Sequence, residues 1–476
     1  MKSRICLLFC LLCLVRLPAR AQTDRFELGQ RLRACEAAWE TQYNGESRRT
    51  AVNHLKQAVQ LFFGFKLSEA ARELDAARMD LRWPNEPTPF ARWAESLFVK
   101  PDSRLIDAAE IALPFTVGVA YQAPSGIQPQ AARLRLTLLR GKQFISKPYE
   151  TKLGALPLND KLLFKGLAEA DYTLRYEILL NNKLLAASEQ TISFASKLKE
   201  RLARLQQSAA ALPQISTDGE SARALIQLLD QLAQKNVPET NLPAARLLAE
   251  SESALRETAL GRGYYGQRKT GQYWLTLVLP GGSVPVRMLA PAAAKSGARL
   301  PLVIALHGAG GSENMFFDGY GLGKIAALSE SRGWLLVSPR GTPGFTPNRA
   351  AQIIDAIDKL YPVDRQRVFV IGHSMGAGQA IASASATPGR FTAVAALGGG
   401  GTVKESDELI EVPFFVCVGV QDFAYTNARK LAFELKKANV KSVRFREYPD
   451  VEHLVIVQEA LPDVFGFFDE MAQRKP

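Results

Sequence analysis

The stretch RVFVIGHSMGAG, from Arg367 to Gly378, places one serine between two glycines at the end of an apolar run. The apolar run predicts a buried strand, and the small residues that follow predict a closely packed helix. A sharp turn from strand to helix needs little bulk on either side, which Gly372 and Gly376 supply. Such a turn lifts the hydroxyl of Ser374 clear of the sheet, beside helix N–H groups that favour negative charge. We therefore predict that Ser374 is a nucleophile; an incidental serine in a tight turn is the alternative.

Similar apolar runs recur along the C-terminal half of the chain, separated by helical stretches. In chain order they read LPLVIALHG, GWLLVSPRG, RVFVIGHS, FTAVAALGGG, VPFFVCVGVQD and SVRFREYP. Continuously apolar runs of this length are typical of parallel strands buried on both faces. Two earlier runs, QYWLTLVLP and SVPVRMLAP, are joined by Gly281 and Gly282 and predict an antiparallel hairpin. We therefore predict an α/β domain with a mostly parallel sheet over residues 263–476, with its ligand site at the carboxyl ends of the strands.

A serine nucleophile needs a base, and the chain contains four histidines. His54 lies in an N-terminal helical segment, and His307 belongs to the glycine-rich stretch LHGAGG. His373 is next to Ser374, but the turn points it elsewhere. His453, in YPDVEHLVIV directly after the last predicted strand, is left, so we expect His453 to be the general base.

The base needs a carboxylate on its other ring nitrogen, which fixes the tautomer and stabilises the charged ring. Asp422 directly follows the strand FFVCVGVQ, and the chain order serine, aspartate, histidine is the order that this architecture uses. Asp450 and Glu452 are alternatives. Both lie so close to His453 in sequence that reaching its far nitrogen would be awkward, so we favour Asp422.

An oxyanion on the reacting carbonyl needs two N–H donors. Met375, at the start of the predicted helix, offers one. The loop HGAGG offers the other, with Ala309 as the first choice and Gly310 as the second. The loop could also hold a phosphate, but it lacks the Lys-Ser/Thr pair of a nucleotide P-loop. No His, Cys, Asp or Glu cluster has the spacing of metal ligands, so we expect neither a cofactor nor a metal.

The N-terminus predicts an export signal. MKSR is basic, ICLLFCLLCLV is apolar, and RLPARA ends in Ala-Arg-Ala, which places cleavage after Ala21. The apolar part is shorter than the ~20 residues that span a bilayer. We therefore expect the protein to be exported, to the periplasm or outside the cell, with no transmembrane segment in the mature chain.

The charge pattern and the cysteine content argue against a nucleic-acid-binding protein and against a disulfide-stabilised one. The net charge of +12 includes four cations of the signal, and the remaining Lys and Arg are interspersed with Glu and Asp, so we expect no nucleic-acid partner. The mature chain keeps two cysteines, Cys35 and Cys417. We expect Cys417 to be a buried thiol and do not expect a disulfide between these distant segments.

Three segments separate the signal from the α/β domain. Residues 22–110 have a helical pattern, residues 111–195 predict a small antiparallel β-sandwich with a hairpin turn at Asn181 and Asn182, and residues 196–262 are helical again. We interpret these segments as an accessory module or a spacer. Because few residues separate AALGGG from VPFFV, a large lid is not expected there, and the N-terminal module could roof the site instead.

From about Tyr264 onward the chain resembles the alpha/beta-hydrolase superfamily. LHGAGGSENMF, VDRQRVFVIGHSMGAG, GVQD and the late EH are similar to a group of secreted polyhydroxybutyrate depolymerases, feruloyl esterases and dienelactone hydrolases. Prolyl-oligopeptidase-type peptidases share much of this pattern. The turn departs from the group in having Gly376-Ala377 where paired glycines are frequent. The resemblance implies a triad of Ser374, Asp422 and His453 and an oxyanion hole at Met375 and Ala309.

Together these features predict an exported serine hydrolase that cleaves a small or polymer-linked carboxylic ester through an acyl-enzyme. A serine peptidase of the prolyl-oligopeptidase type, an acyltransferase and an inactive envelope binding protein are the alternatives. The sequence predicts no oligomeric state. Four aromatic residues are candidates for either a wall of the site or the core: Phe316, Phe317, Tyr320 and Phe345.

Overall fold

The computed structural model describes residues 23–83, 87–122, 124, 126–212, 215–341 and 346–473. The export signal predicted for residues 1–21 and the aromatic side chain of Phe345 lie outside the described residues. No helix in the described ranges is both long and apolar enough to cross a membrane.

Four helices open the described chain: α1 (Arg25–Thr41), α2 (Gly45–Phe63), α3 (Leu67–Arg82) and α4 (Pro89–Glu95). The side chains of Asp24 and Asn44 accept hydrogen bonds from first-turn N–H groups, so both α1 and α2 begin at capped ends. The third helix packs against both of the first two. We call α1, α2 and α3 together the N-terminal roof.

Strands begin earlier than the sequence predicts. The first strand, β1, starts at Leu97, within the segment predicted as helical to residue 110. The described residues of 97–195, which we call the β-region, form nine strands: β1 (Leu97–Pro101), β2 (Leu105–Asp107), β3 (Ala112–Val119), β4 (Ala132–Arg140), β5 (Gln143–Phe144), β6 (Tyr149–Lys152), β7 (Leu158–Leu163), β8 (Ala170–Leu180) and β9 (Lys183–Ala195). The sheets β1-β3-β7 and β2-β9-β8-β4-β5, with β6 also on β4, enclose one apolar core. Asn181 and Asn182 have φ of 50° and 63° and form the hairpin turn between β8 and β9 at the predicted place.

Three helices follow the two sheets: α5 (Leu198–Ala210), α6 (Thr217–Ala233) and α7 (Ala244–Ala259). Their apolar faces share one core, which also takes in Leu105 and Ala195 from the sheet that contains β2 and β9, and Trp274 from the next domain. The second helical segment therefore packs between the β-region and the C-terminal domain.

The C-terminal domain is built on an eight-stranded sheet in the order β10-β11-β13-β12-β14-β15-β16-β17. Its strands are β10 (Gly271–Leu279), β11 (Gly282–Ala290), β12 (Leu300–Leu306), β13 (Leu335–Pro339), β14 (Val363–His373), β15 (Ala393–Leu397), β16 (Phe414–Gly419) and β17 (Val443–Tyr448). The pairs β10–β11 and β11–β13 are antiparallel, and every later pair is parallel. All residues of β12, β15 and β16 are buried, as continuously apolar runs predict. The predicted mostly parallel sheet is confirmed, and the hairpin turn lies at Pro280 and Gly281, with Gly282 already in β11.

Helices cover both faces of this sheet. They are α8 (Met315–Asp318), α9 (Tyr320–Arg332), α10 (Arg349–Asp358), α11 (Met375–Ala386), α12 (Asp407–Ile410), α13 (Tyr425–Lys437) and α14 (Ile456–Gln473). One face packs against α10, α11 and α13. The other packs against α9 and α14, and the apolar residues of the N-terminal roof belong to this same core. The first residues of the described chain therefore lie against the last domain.

Candidate active site

Ser374 lies between β14 and α11 in a backbone conformation that L-residues rarely adopt, with φ 56° and ψ −117°. A Cβ on Gly372 would overlap the carbonyl oxygen of Gly376, and a Cβ on Gly376 would overlap that of Leu306. Both positions thus exclude any side chain, which is the physical reason for the two glycines. The strain at Ser374 is held by this close packing of strand and helix, as is common at functional sites.

Three side chains from different parts of the chain form one hydrogen-bonded row at the carboxyl edge of the sheet. Nε2 of His453 is 3.0 Å from Oγ of Ser374, and Nδ1 of His453 is 2.9 Å from Oδ1 of Asp422. Asp422 follows β16 and His453 follows β17, and both side chains are buried. An imidazole that donates Nδ1–H to a carboxylate has Nε2 free to accept a hydroxyl proton, so the row has the geometry of a general base on a nucleophile.

The two rival carboxylates point elsewhere. Asp450 faces the guanidinium of Arg49, 3.4 Å away. The carboxyl of Glu452 accepts the N–H groups of Leu454 and Val455, at 2.8 Å and 3.1 Å. Burial raises the pKa of Glu452 to about 8, so this group is mostly protonated at neutral pH. Neither carboxyl is hydrogen-bonded to the His453 ring in the part of the chain that the structure describes.

His373 faces away from the Ser374 hydroxyl, as expected from the turn, and its ring is fixed at both nitrogens. Nδ1 lies 2.6 Å from the hydroxyl of Tyr320, and Nε2 lies 2.9 Å from the backbone carbonyl oxygen of His453. Because that carbonyl can only accept, Nε2 carries the proton and Nδ1 accepts from Tyr320. Burial lowers the pKa of His373 well below its usual value, which keeps the ring neutral. The Tyr320 hydroxyl in turn accepts the N–H of Gly308 at 3.3 Å, so one chain of hydrogen bonds joins the loop after β12 to the backbone of His453.

The remaining histidines are held by other groups. Nδ1 of His307 donates to the carbonyl of Gly308, and its Nε2 accepts the N–H of Gly341, each at 2.8 Å. Burial lowers the pKa of His307 too, so its ring is a neutral brace for the loop. His54, on α2, pairs with Glu73 on α3 at 2.7 Å.

The two candidate oxyanion donors border the serine. Met375 is the first residue of α11, where N–H groups have no acceptor inside the helix. Ala309 lines the same cavity as Ser374 and His453. The loop that carries Ala309 passes close to the serine, since a Cβ on Gly308 would be 3.1 Å from Cβ of Ser374. Both candidate residues therefore lie beside Ser374, one on the helix that follows it and one on the neighbouring loop.

The cavity at Ser374 has a volume of about 160 Å³. The loop after β12 forms one side and the N-terminal roof forms the other. Of the aromatic residues considered from the sequence, Phe316 and Phe317 are buried in the core, while Tyr320 is buried and contributes its hydroxyl to the site. Within the described ranges, no three His, Cys, Asp or Glu side chains are grouped so as to hold a metal ion.

The cysteines lie away from this chemistry. Cys35, on α1, and Cys417, on β16, are buried free thiols. Burial raises the pKa of both thiols well above the ordinary value, which makes them unreactive.

Sequence reasoning did not identify the residues that reach the site from the N-terminus, such as Phe62 and Leu32. Their positions in α2 and α1 carry the same apolar periodicity as any core-facing helix residue, so no signal in the sequence distinguishes them. It also did not identify the link from Tyr320 to His373, because a hydrogen bond between distant side chains leaves no local pattern.

Comparison with known proteins finds a match within the C-terminal domain. Residues 303–472 match the sequence model of the alpha/beta hydrolase family. Among curated proteins, none matches the chain.

Three solved structures illustrate the partial similarity of this chain to esterases and a related hydrolase. The feruloyl esterase module from Clostridium thermocellum complexed with sinapinate is 14% identical, with 43% of this chain and 90% of that chain covered and a TM-score of 0.38. S-formylglutathione hydrolase from Staphylococcus aureus is 14% identical, with 43% and 99% covered and a TM-score of 0.36. A hyperthermophilic esterase from the archaeon Pyrobaculum calidifontis is 19% identical, with 52% and 97% covered and a TM-score of 0.35.

The identities and TM-scores of these structures are too low to support an argument about activity. The fold rests instead on the family match and on the sheet order with its strand–serine–helix turn. The C-terminal domain of this chain has the alpha/beta-hydrolase fold.

Proposed function

We propose that the chain is a serine hydrolase that cleaves carboxylic esters. Ser374 is the nucleophile, His453 the general base and acid, and Asp422 the carboxylate that orients the ring. The observation that carries the proposal is the row of hydrogen bonds from Ser374 through His453 to Asp422, at 3.0 Å and 2.9 Å. Such a row beside two candidate N–H donors is the arrangement that acyl transfer requires.

The reaction proceeds in two steps. Nε2 of His453 takes the hydroxyl proton as Oγ of Ser374 attacks the ester carbonyl carbon, and the N–H groups of Met375 and Ala309 stabilise the resulting oxyanion. His453 then gives the proton to the departing alkoxide oxygen, which leaves an acyl-serine. The same nitrogen activates a water molecule, whose attack releases the carboxylic acid and restores the serine.

Two lines of evidence favour an ester substrate. The sequence motifs resemble an esterase group, and an alcohol leaves more easily than an amine, so the chemistry demands less from the rest of the site. A peptidase of the prolyl-oligopeptidase type would use the same three side chains. It is therefore the second candidate.

The test compares ester and peptide substrates on the full mature chain. We expect hydrolysis of p-nitrophenyl butyrate and little cleavage of a blocked glycyl-prolyl p-nitroanilide, with both signals absent in Ser374→Ala. Faster cleavage of the anilide would favour the peptidase. Binding of ester without turnover, in protein that is folded, would favour the inactive binding protein, and product that appears only with an added alcohol would favour an acyltransferase.

We also propose that residues 1–21 direct export, so that the site works in the periplasm or outside the cell. N-terminal sequencing of the mature protein tests this directly. The expected first residue is Gln22, and an intact Met1 in protein recovered from the native host would contradict it.

A further inference from the structure

The N-terminal roof is fixed to the hydrolase domain by a shared core and by polar contacts around it. Trp39 of α1 is fully buried, and its indole N–H donates to Glu459 of α14 at 2.6 Å. Glu40 of α1 pairs with Lys324 of α9 at 2.7 Å. A helix held by both kinds of contact is a permanent part of the domain surface, which excludes a loosely tethered module.

The roof touches the loop that carries the candidate oxyanion donor. The ring of Phe62, near the end of α2, lies against Gly310, where a Cβ would come within 2.7 Å of the ring. The guanidinium of Arg25, at the start of α1, donates to the carbonyl oxygen of Gly310. The residue next to Ala309 is therefore held from above by two helices that are distant from it in sequence.

The roof also supplies most of the apolar wall of the cavity. The hydrolase domain lines the cavity with backbone and polar groups, from Gly308 to Ser312 and at His453, and with the side chains of Met315, Tyr320 and Leu454. The roof lines it with aliphatic and aromatic side chains: Leu28, Leu32, Ala58, Val59, Phe62 and Leu74. An apolar group of a substrate would thus be desolvated mainly by the roof.

Chemistry decides which part of an ester enters this space. The leaving oxygen must face Nε2 of His453 to receive its proton, and the carbonyl oxygen must face the donors at Ala309 and Met375. The acyl chain must then extend away from His453. The roof lines the cavity beside the loop that carries Ala309. We therefore place the acyl chain under the roof.

We propose that the N-terminal roof is the acyl-binding pocket of the enzyme and that it selects esters of compact apolar acids, with either a short aliphatic chain or a single aromatic ring. This rests on the proposed ester hydrolase function. In this arrangement the α/β domain supplies the chemistry, and α1 and α2 set the length of acyl chain that the enzyme accepts.

The experiment measures kcat/KM for p-nitrophenyl acetate, butyrate, octanoate and palmitate, which share one leaving group. Phe62→Ala and Leu32→Ala enlarge the cavity from α2 and from α1. Phe65→Ala is the matched control, because Phe65 is 88% exposed and does not line the cavity. We expect the octanoate-to-butyrate ratio to rise about fourfold for each methylene that gains room in either cavity variant, and to stay unchanged in the control.

A ratio rather than a rate is the readout, because loss of support for Gly310 would lower hydrolysis of every ester alike. If wild type hydrolyses the esters and neither cavity variant changes the ratio, the pocket proposal is wrong while the proposed function stands. If wild type hydrolyses none of them, the proposed function is wrong and the pocket proposal fails with it. If Phe62→Ala does not fold, Leu32→Ala on the other helix decides.

Discussion

The carboxyl edge of the sheet and the N-terminal roof meet at one cavity but are built in different ways. At the edge, main-chain atoms pack so closely that Gly372 and Gly376 admit no side chain, and single hydrogen bonds orient His453. In the roof, apolar side chains such as Phe62 and Leu32 fill space without a comparable constraint on the backbone. If both proposals hold, the contrast teaches that reactivity is encoded in short local motifs, whereas selectivity comes from a segment about three hundred residues away. It also implies that substitutions at the edge should cause large losses of activity, whereas substitutions in the roof should change activity by amounts that depend on the size of the new side chain.

The largest expected effect separates two carboxylates near the edge. Asp422→Asn should lower kcat for p-nitrophenyl butyrate by roughly 10³–10⁴-fold, because the amide favours the wrong tautomer of His453. Asp450→Asn should change kcat by less than about twofold, because Asp450 faces Arg49. A larger loss in Asp450→Asn than in Asp422→Asn, measured by steady-state kinetics, would reverse our choice of carboxylate.

Next in size is the steric constraint on the turn. Gly376→Ala should lower kcat roughly 100-fold and also lower Tm, because the added methyl overlaps the carbonyl of Leu306 and must displace Ser374. Gly389→Ala is the control, since nothing lies within 4 Å of its Cβ position. Equal activity in the two variants would show that the edge tolerates bulk, and the contrast with the roof would not hold.

A smaller effect is expected from the hydrogen-bond chain through Tyr320. Tyr320→Phe leaves Nδ1 of His373 and the N–H of Gly308 without their partner, so kcat should fall about tenfold while KM changes by less than about twofold. Tyr361→Phe removes a similarly buried hydroxyl that bonds to the carbonyl of Lys269. It should lower Tm and leave kcat near the wild-type value. A matching fall of kcat in both variants would assign Tyr320 a structural role only.

The smallest expected effect is on the pH dependence of stability, and each of the two regions contains a buried glutamate that contributes to it. Burial raises the pKa of Glu36, in the roof, and of Glu452, at the edge, to about 8 from an ordinary value near 4.5. The folded protein then keeps protons that the unfolded chain has lost, so stability falls as pH rises from about 4.5 to about 8. Glu36→Gln should therefore show a flatter fall of Tm with pH than wild type, by a few degrees at the alkaline end in scanning calorimetry. Parallel Tm curves for wild type and variant would contradict this account of Glu36.

Much of the edge could be predicted from the sequence because its constraints are local. The turn at Ser374 follows from glycine spacing after an apolar strand, and His453 and Asp422 follow from their places after the last two strands. Asn181 and Asn182 gave the hairpin turn for the same reason, since their φ preference is a property of the residues themselves.

The roof and the start of the β-region could not be predicted in the same way. The first strand, from Leu97, is five residues long, too short for alternation to stand out from the helical pattern before it. The contacts of Phe62 with Gly310 and of Tyr320 with His373 join segments far apart in the chain. Periodicity tells which face of a helix is buried but not what that face packs against.

The central claim is best tested by mapping where a fluorophosphonate probe attaches to the mature protein by peptide mass spectrometry. The account predicts a single adduct on Ser374, lost in Ser374→Ala and in His453→Ala but retained in His54→Ala. A stable adduct on another residue, or an unlabelled Ser374 in folded and accessible protein, would contradict it.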